Sequence, residues 1–240
     1  MSEQAIFTIL ENRALTADMY CLVLTGPTAA ITAPGQFVNI LIDGLYLRRP
    51  ISICDWSVNT ITLLYRVVGE GTKKLAAMPV HAKLDVLVGL GNGYTLPDEV
   101  KSPLLVGGGA GVPPMYALAK AFLAKGITPT VVLGFRNEDD IFYKDEFEAL
   151  GVKLLLALGS TFVTDRIRED KPDYDYFYAC GPEPMLKALS EQTVTSGQLS
   201  FEERMGCGFG ACMGCTCKTK YGNKRICTDG PVLVKEEIIW

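Results

Sequence analysis

The sequence predicts a β-barrel joined to an α/β domain, with a small cysteine-rich module at the C-terminus. Three observations carry that expectation. Short β-branched or alternating runs fill the first part of the chain, up to the turn Gly91-Asn92-Gly93. Strand and helix patterns then alternate from Ser102 onward. Finally, five of the eight cysteines fall in the 21 residues from Cys207 to Cys227.

The elements follow in order. Residues 5–10, 19–24, 36–42, 50–54, 60–68 and 84–88 read as strands, separated by turn signals such as Gly26-Pro27 and Ala33-Pro34-Gly35. Strands at this spacing suit a small antiparallel barrel or sandwich. One short helix is expected over 72–77, after Gly69-Glu70-Gly71. Residues 103–106 form an apolar strand that runs into glycines and then a helix. In that helix Met115, Leu118, Ala119 and Phe122 share one face, and Gly126 ends it. Strands at 130–135, 152–158 and 174–179 alternate with helices at 144–150 and 184–192, which implies a parallel sheet covered on both faces. The expected units are therefore 1–98, 99–200 and 201–240.

Composition narrows the function. The 240 residues are 48% apolar and 21% charged, an ordinary globular balance with chain enough for a proper core. The net charge is −4 with no basic run, which argues against nucleic acid and anionic membrane as partners. No apolar stretch approaches the roughly 18–20 residues of a membrane span. The N-terminal residues also lack the pattern of a signal peptide. A cytoplasmic protein is expected. His81 is the single histidine and reads as a surface residue, so Ser-His-Asp hydrolysis and His-ligated zinc catalysis are excluded. Such a chain takes its reactive groups from cofactors.

Four motifs carry chemistry. Cys207-x4-Cys212-x2-Cys215, with Cys227 twelve residues on, follows the spacing of plant-type [2Fe–2S] sites. Structural zinc is the competing reading, but it more often shows two Cys-x2-Cys knuckles and here there is one. Cys217 would point to the opposite face of a strand from Cys215 and reads as a bystander. The second motif is Gly107-Gly108-Gly109-Ala110-Gly111-Val112-Pro113-Pro114, between a strand and a helix. Backbone amides there suit a pyrophosphate, although glycine turns also serve packing and Pro114 departs from G-x-G-x-x-G. The third is Arg48-Arg49-Pro50-Ile51-Ser52, with Leu64-Tyr65-Arg66 and Gly69-Glu70-Gly71-Thr72. Its arginines suit a second phosphate-bearing ligand, or else a solvated strand face. The fourth is Cys180-Gly181-Pro182 at the carboxyl end of the last parallel strand, where ligands of open sheets bind. Cys180 is placed either to face a cofactor or as a small buried hydrophobe.

In order and spacing these motifs resemble the ferredoxin–NAD(P) reductase superfamily: Arg49-Pro50-Ile51-Ser52 its flavin motif, Gly109-x-Gly111-x-x-Pro114 its nicotinamide motif, and Cys180-Gly181-Pro182 its end-of-sheet motif. Most of that superfamily has no C-terminal cluster. The run Glu203-Arg204-Met205-Gly206-Cys207 through Cys215, with Cys227, resembles one branch, the electron-transfer subunits of NAD-dependent (class 1B) dihydroorotate dehydrogenase. The resemblance implies a flavin-binding barrel, a nucleotide-binding α/β domain and a [2Fe–2S] module. It implies that Arg49 pairs with the FAD pyrophosphate and that Ser52 hydrogen-bonds near flavin N5. Pro50, Ile51, Leu64, Tyr65 and Arg66 would line the flavin, and Gly71 and Thr72 would cap a phosphate; many superfamily members carry an aromatic residue at the position of Ile51. Gly107, Gly108, Gly109, Gly111, Pro114, Cys180, Gly181 and Pro182 would hold NAD, with Cys180 and Ser52 beside the reacting rings. Cys207, Cys212, Cys215 and Cys227 would bind the cluster.

The same resemblance implies an FMN-containing dihydroorotate dehydrogenase catalytic subunit as partner, in a heterotetramer of two of each chain serving pyrimidine (UMP) biosynthesis. A second reading is the same module in an NAD(P)H:ferredoxin oxidoreductase, a sulfide dehydrogenase or a cytoplasmic hydrogenase. Arg136 could meet a 2′-phosphate, but Glu138, Asp139 and Asp140 follow it, which leans toward NAD. A non-catalytic, zinc-stabilised nucleotide-binding regulator is a third.

Overall fold

A computed structural model describes residues 2–240. The first half closes into an antiparallel barrel of β1 (Glu3–Ala14), β2 (Met19–Thr25), β3 (Phe37–Ile40), β4 (Arg49–Trp56), β5 (Thr60–Arg66) and β6 (Lys83–Leu90), in the order β1-β2-β5-β4-β3-β6. Alternation builds it: along β6, Leu84, Val86, Val88 and Leu90 are buried while the residues between them are not. These side chains meet Phe7, Ile9, Leu22, Ile40 and Ile53 in the barrel interior, apart from Leu90, which packs outside it. The short helix α1 (Glu70–Ala76) begins two residues earlier than its sequence pattern suggests, because Thr72 caps it: its hydroxyl accepts from the N–H groups of Val68 (3.0 Å) and Gly69 (3.2 Å).

The second half is a six-stranded sheet in the order β14-β11-β10-β7-β8-β9. It comprises β7 (Pro103–Gly108), β8 (Thr130–Phe135), β9 (Lys153–Leu158), β10 (Tyr176–Cys180), β11 (Gly197–Ser200) and β14 (Val232–Val234). All neighbours are parallel except the β11–β14 pair. Helices α2 (Val112–Ala124), α3 (Lys144–Ala149), α4 (Val163–Asp170) and α5 (Glu183–Gln192) connect the strands. On α2 the expected face, Met115, Leu118, Ala119 and Phe122, is wholly buried. A large apolar side chain buried in this way contributes roughly 1.5–3 kcal/mol.

Two features went beyond the sequence reading. Helix α4 is mostly charged, with only Val163 and Ile167 buried, so its apolar signal is two residues wide. The C-terminal segment also does more than carry a hairpin, β12 (Thr216–Thr219) and β13 (Gly222–Arg225): its strand β14 joins the edge of the sheet. The barrel and the sheet share a core, in which Met19, Cys21, Cys54 and Leu64 pack with α2 residues Met115 and Phe122. An ion pair between Lys120 of α2 and Asp55 of β4 (2.6 Å) crosses the same boundary.

Candidate functional site

Chain order reverses between the parallel neighbours β7 and β10: from β7 the connections lead outward through β8 to β9, and from β10 to β11 on the other side. The crevice at their carboxyl ends is the expected ligand site of an open parallel sheet. A groove of about 570 Å³ opens there, against the barrel. Arg49, Pro50, Ile51 and Ser52 of β4 form one wall, with Leu64, Tyr65 and Arg66 of β5. Thr72, Gly108, Gly109, Gly181 and Pro182, also expected, line it too, so residues far apart in the sequence meet around one space. Gly71 lies beneath it: a Cβ there would fall 2.2 Å from Arg49 Nε, so only glycine lets the guanidinium lie across α1.

Gly107, Gly111, Pro114 and Cys180 stand behind the groove rather than in its lining. Gly111 presses on the end of β10, where an added Cβ would be 2.1 Å from the Cys180 carbonyl oxygen. Pro113 and Pro114 have no N–H, so donors at this turn come from Gly109, Ala110 and Gly111. Cys180 is 1% exposed, and burial, followed by the charge of Glu202, pushes its thiol up to about 12. It is a neutral thiol at the end of the strand.

Phe37, Glu202 and Pro231 line the groove with no motif to announce them, and Glu203 and Met205, from the run that leads into Cys207, line it beside them. Glu202 is open to the groove yet walled by protein, and this desolvation raises its carboxyl despite the attraction of Arg66. Arg66 pairs with Asp18 (3.1 Å) and leans toward Gly109, so a barrel cation reaches the nucleotide turn. Tyr65 is held by its hydroxyl, which donates to Asn12 Oδ1 at 3.1 Å.

The C-terminal cysteines come together as two pairs. The Cys212 N–H points at Cys207 Sγ (3.4 Å), and the Cys227 N–H at Cys215 Sγ (3.4 Å). Among the described residues no three His, Cys, Asp or Glu side chains converge as on one metal ion. Two pairs of thiols suit two irons with two thiolates each. The loop is also poised to hold thiolates. Burial works to raise Cys207, but N–H groups of Cys212, Phe209 and Ala211 outweigh it and bring the thiol down to about 6. Burial, and after it the neighbouring Cys215 thiol, pushes Cys227 up to about 12. From outside, Arg225 Nη1 donates to the Gly210 carbonyl (3.0 Å) and is itself held by Asp229.

The pairs differ in depth. Cys215 and Cys227 are each 2% exposed and pack with Phe37 and Leu90 of the barrel; Cys212 is exposed and Cys207 half-buried. Cys217 lines a separate cleft with Phe201, Ile238 and Trp240.

Comparison with known proteins agrees with this geometry. Residues 202–239 match the family model of the iron–sulfur cluster binding domain of dihydroorotate dehydrogenase B, and residues 105–191 match the oxidoreductase NAD-binding domain. The chain is 42% identical to the electron transfer subunit of dihydroorotate dehydrogenase B (NAD+) from Fusobacterium nucleatum, covering 96% of each chain. It is also 42% identical to that subunit from Shouchella clausii, over 99% of this chain and 98% of the relative. Among solved structures, a chain of the NADH-dependent reduced ferredoxin–NADP oxidoreductase superposes with a TM-score of 0.89 at 27% identity, covering 98% of this chain and 90% of that one. Phthalate dioxygenase reductase shares the fold at 15% identity, with a TM-score of 0.70 over 90% of this chain and 87% of that one. The chain belongs to the family of electron transfer subunits of NAD+-dependent dihydroorotate dehydrogenase B.

Proposed function

We propose that this chain is the electron-carrying half of an NAD+-dependent dihydroorotate dehydrogenase, an oxidoreductase of pyrimidine (UMP) biosynthesis. The observation that supports it most is the groove itself. One space touches the flavin-type strand at Arg49 and Ser52, the nucleotide turn at Gly108 and Gly109, and Met205, two residues before the first cluster cysteine. FAD bound there exchanges electron pairs with nicotinamide and single electrons with an iron–sulfur cluster.

The residues divide the work. Arg49 is the cation for the FAD diphosphate, with Gly71 giving it room and Thr72 closing the adjoining turn. Ser52 is a hydrogen-bond donor at the flavin edge, and Pro50, Ile51, Leu64, Tyr65 and Arg66 exclude water from that wall. Amides of Gly109 to Gly111 meet the NAD diphosphate, while Gly107, Gly108 and Pro114 set the turn. Gly181 and Pro182 floor the nicotinamide position, backed by the neutral Cys180. Cys207 with Cys212, and Cys215 with Cys227, each hold one iron. Arg136 already pairs with Asp140 (3.4 Å) and Asp18 (3.8 Å), which supports NAD over NADP.

The units are 1–98 for FAD, 99–200 for NAD and 201–240 for the cluster. Electrons come from the FMN of a partner catalytic subunit, in a cytoplasmic heterotetramer of two of each chain, with no membrane or nucleic acid involved. Phe209 (52% exposed) and Met213 (56%) stand beside the exposed Cys212 and supply apolar surface for that docking. Among the described residues, no helix is long and apolar enough to cross a membrane. The 27% likeness to the ferredoxin–NADP enzyme is well below the 42% of the dihydroorotate dehydrogenase relatives, so the ferredoxin reading is not favoured.

The test is reconstitution. The purified chain should reduce an artificial dye with NADH but oxidise no dihydroorotate, and adding the FMN subunit should restore dihydroorotate-linked NAD reduction. Phe209→Asp or Met213→Glu should lower the coupled rate and spare the dye reaction. Dihydroorotate-dependent NAD reduction by the lone chain would overturn the division of labour.

A further inference from the structure

Strand β3 is the seam between the two redox sites. All four of its residues are buried, so both of its faces are covered. Val38 and Ile40 belong to the barrel interior, whereas Phe37 and Asn39 alternate with them and face the other way. Phe37 lines the groove and packs in the same cluster as Cys215 and Cys227. Asn39 pairs in register with Pro50, inside the run Arg49-Pro50-Ile51-Ser52. Its side chain crosses 168 residues of sequence to donate from Nδ2 to the Cys207 carbonyl oxygen at 3.2 Å. A carbonyl can only accept, so the amide nitrogen is the atom that faces it. The loop sits so close that a Cβ at Gly208 would lie 2.4 Å from that nitrogen.

Asn39 is expensive where it stands. It is 1% exposed, and its Oδ1 finds no hydrogen-bond partner among the described residues. An unpaired buried acceptor destabilises a fold, and an apolar side chain of similar volume would avoid the penalty. A side chain that breaks the local rule in this way is explained by what it contacts. Here the contact is the backbone of a cluster cysteine.

We propose that Asn39 is a positioning residue for electron transfer: its amide fixes the Cys207 loop, and with it the cluster, against the flavin-binding strand. The inference rests on the reading that the groove holds FAD and that Cys207 is a cluster ligand. The step it serves is the loss of one electron by NADH-reduced flavin and its gain by the oxidised cluster, a transfer whose rate depends steeply on separation. Phe37 lines the groove two residues before Asn39, and Asn39 sets the register of the loop.

Asn39→Leu and Asn39→Ser test it, because both lose the amide that reaches the Cys207 carbonyl, Leu keeping the volume and Ser keeping only a hydroxyl on a shorter stem. The full chain, loaded with FAD and iron, is mixed anaerobically with NADH. Flavin bleaching and the electron paramagnetic resonance signal of the reduced cluster are then followed separately. Loosening the Cys207 loop should slow cluster reduction by roughly tenfold or more while flavin reduction keeps its native rate. The visible circular dichroism of the cluster should change, and amide exchange across 206–212 should quicken. If Asn39→Leu does not fold, Asn39→Ser carries the test alone. Native cluster-reduction rate and native cluster dichroism in either folded variant, with both cofactors present, would overturn the proposal. FAD or iron missing from the native chain would overturn the cofactor reading, and this inference with it.

Discussion

The cysteine module and the groove are the two proposed redox sites, and they are built in opposite ways. The module gathers its four thiols from 21 consecutive residues, in a loop whose own amides point at the sulfurs. The groove draws Phe37, Arg49, Ser52, Tyr65, Gly108, Pro182 and Met205 from six separate stretches of chain, and its walls exist only once the barrel has closed on the sheet. A local site is set by the torsions of a few residues, whereas a distributed site depends on every contact between the units that form it. Damage to the first should therefore be complete and confined. Damage to the second should be graded.

The largest effect is expected at the buried cysteine pair. Cys227→Ser should lose most of the iron and its visible absorbance, since the inner iron would lose one of its two thiolates in a dry site. FAD content should hold. Cys217→Ser, two residues from a ligand but facing another cleft, should keep both cofactors. Iron retention by the first and iron loss by the second would reverse the ligand assignment. Metal analysis per mole of chain settles it.

Arg49→Ala probes the distributed site. A charge-assisted hydrogen bond to a diphosphate is worth roughly 1.5–3 kcal/mol, so FAD affinity should fall on the order of tenfold to a hundredfold. The iron content should not move. Unaltered FAD retention in this variant would place the flavin elsewhere.

The same contrast explains what could be read from the chain. The cysteine spacing, the glycine turn and the face of α2 are short-range patterns, and the structure contains each where the pattern puts it. Barrel and sheet were legible through strand spacing and the switch of period at Ser102. Glu202 and Phe37 were not, because nothing in their neighbourhood marks a residue whose partner is more than a hundred positions away. Asn39 was hidden for the same reason: in Phe37-Val38-Asn39-Ile40 it reads as one polar residue on a strand. Strand β14 is three residues long, too short for any period to show.

The smallest effect is expected just behind that seam, on the barrel side. Arg48 Nη1 donates to the carbonyls of Asn39 (3.4 Å) and Asp85 (3.1 Å) and forms an ion pair with the Asp85 carboxylate at 2.8 Å. The Arg48 guanidinium, helped by Gln4 and opposed by burial, holds the Asp85 carboxyl below its usual range. A depressed value in the folded state means the pair stabilises the barrel above the ordinary carboxylate range, near about 4. That contribution fades as pH falls through the lower, folded-state value. Asp85→Asn should thus cost at most about 1 kcal/mol near neutral pH, as expected of a partly exposed pair. The gap between variant and native denaturation midpoints should close on acidification. Cluster dichroism should stay native throughout, because the bond that positions Cys207 comes from the Asn39 side chain and not from the backbone that Arg48 braces. A change in that signal in Asp85→Asn would extend the seam into the strand behind it.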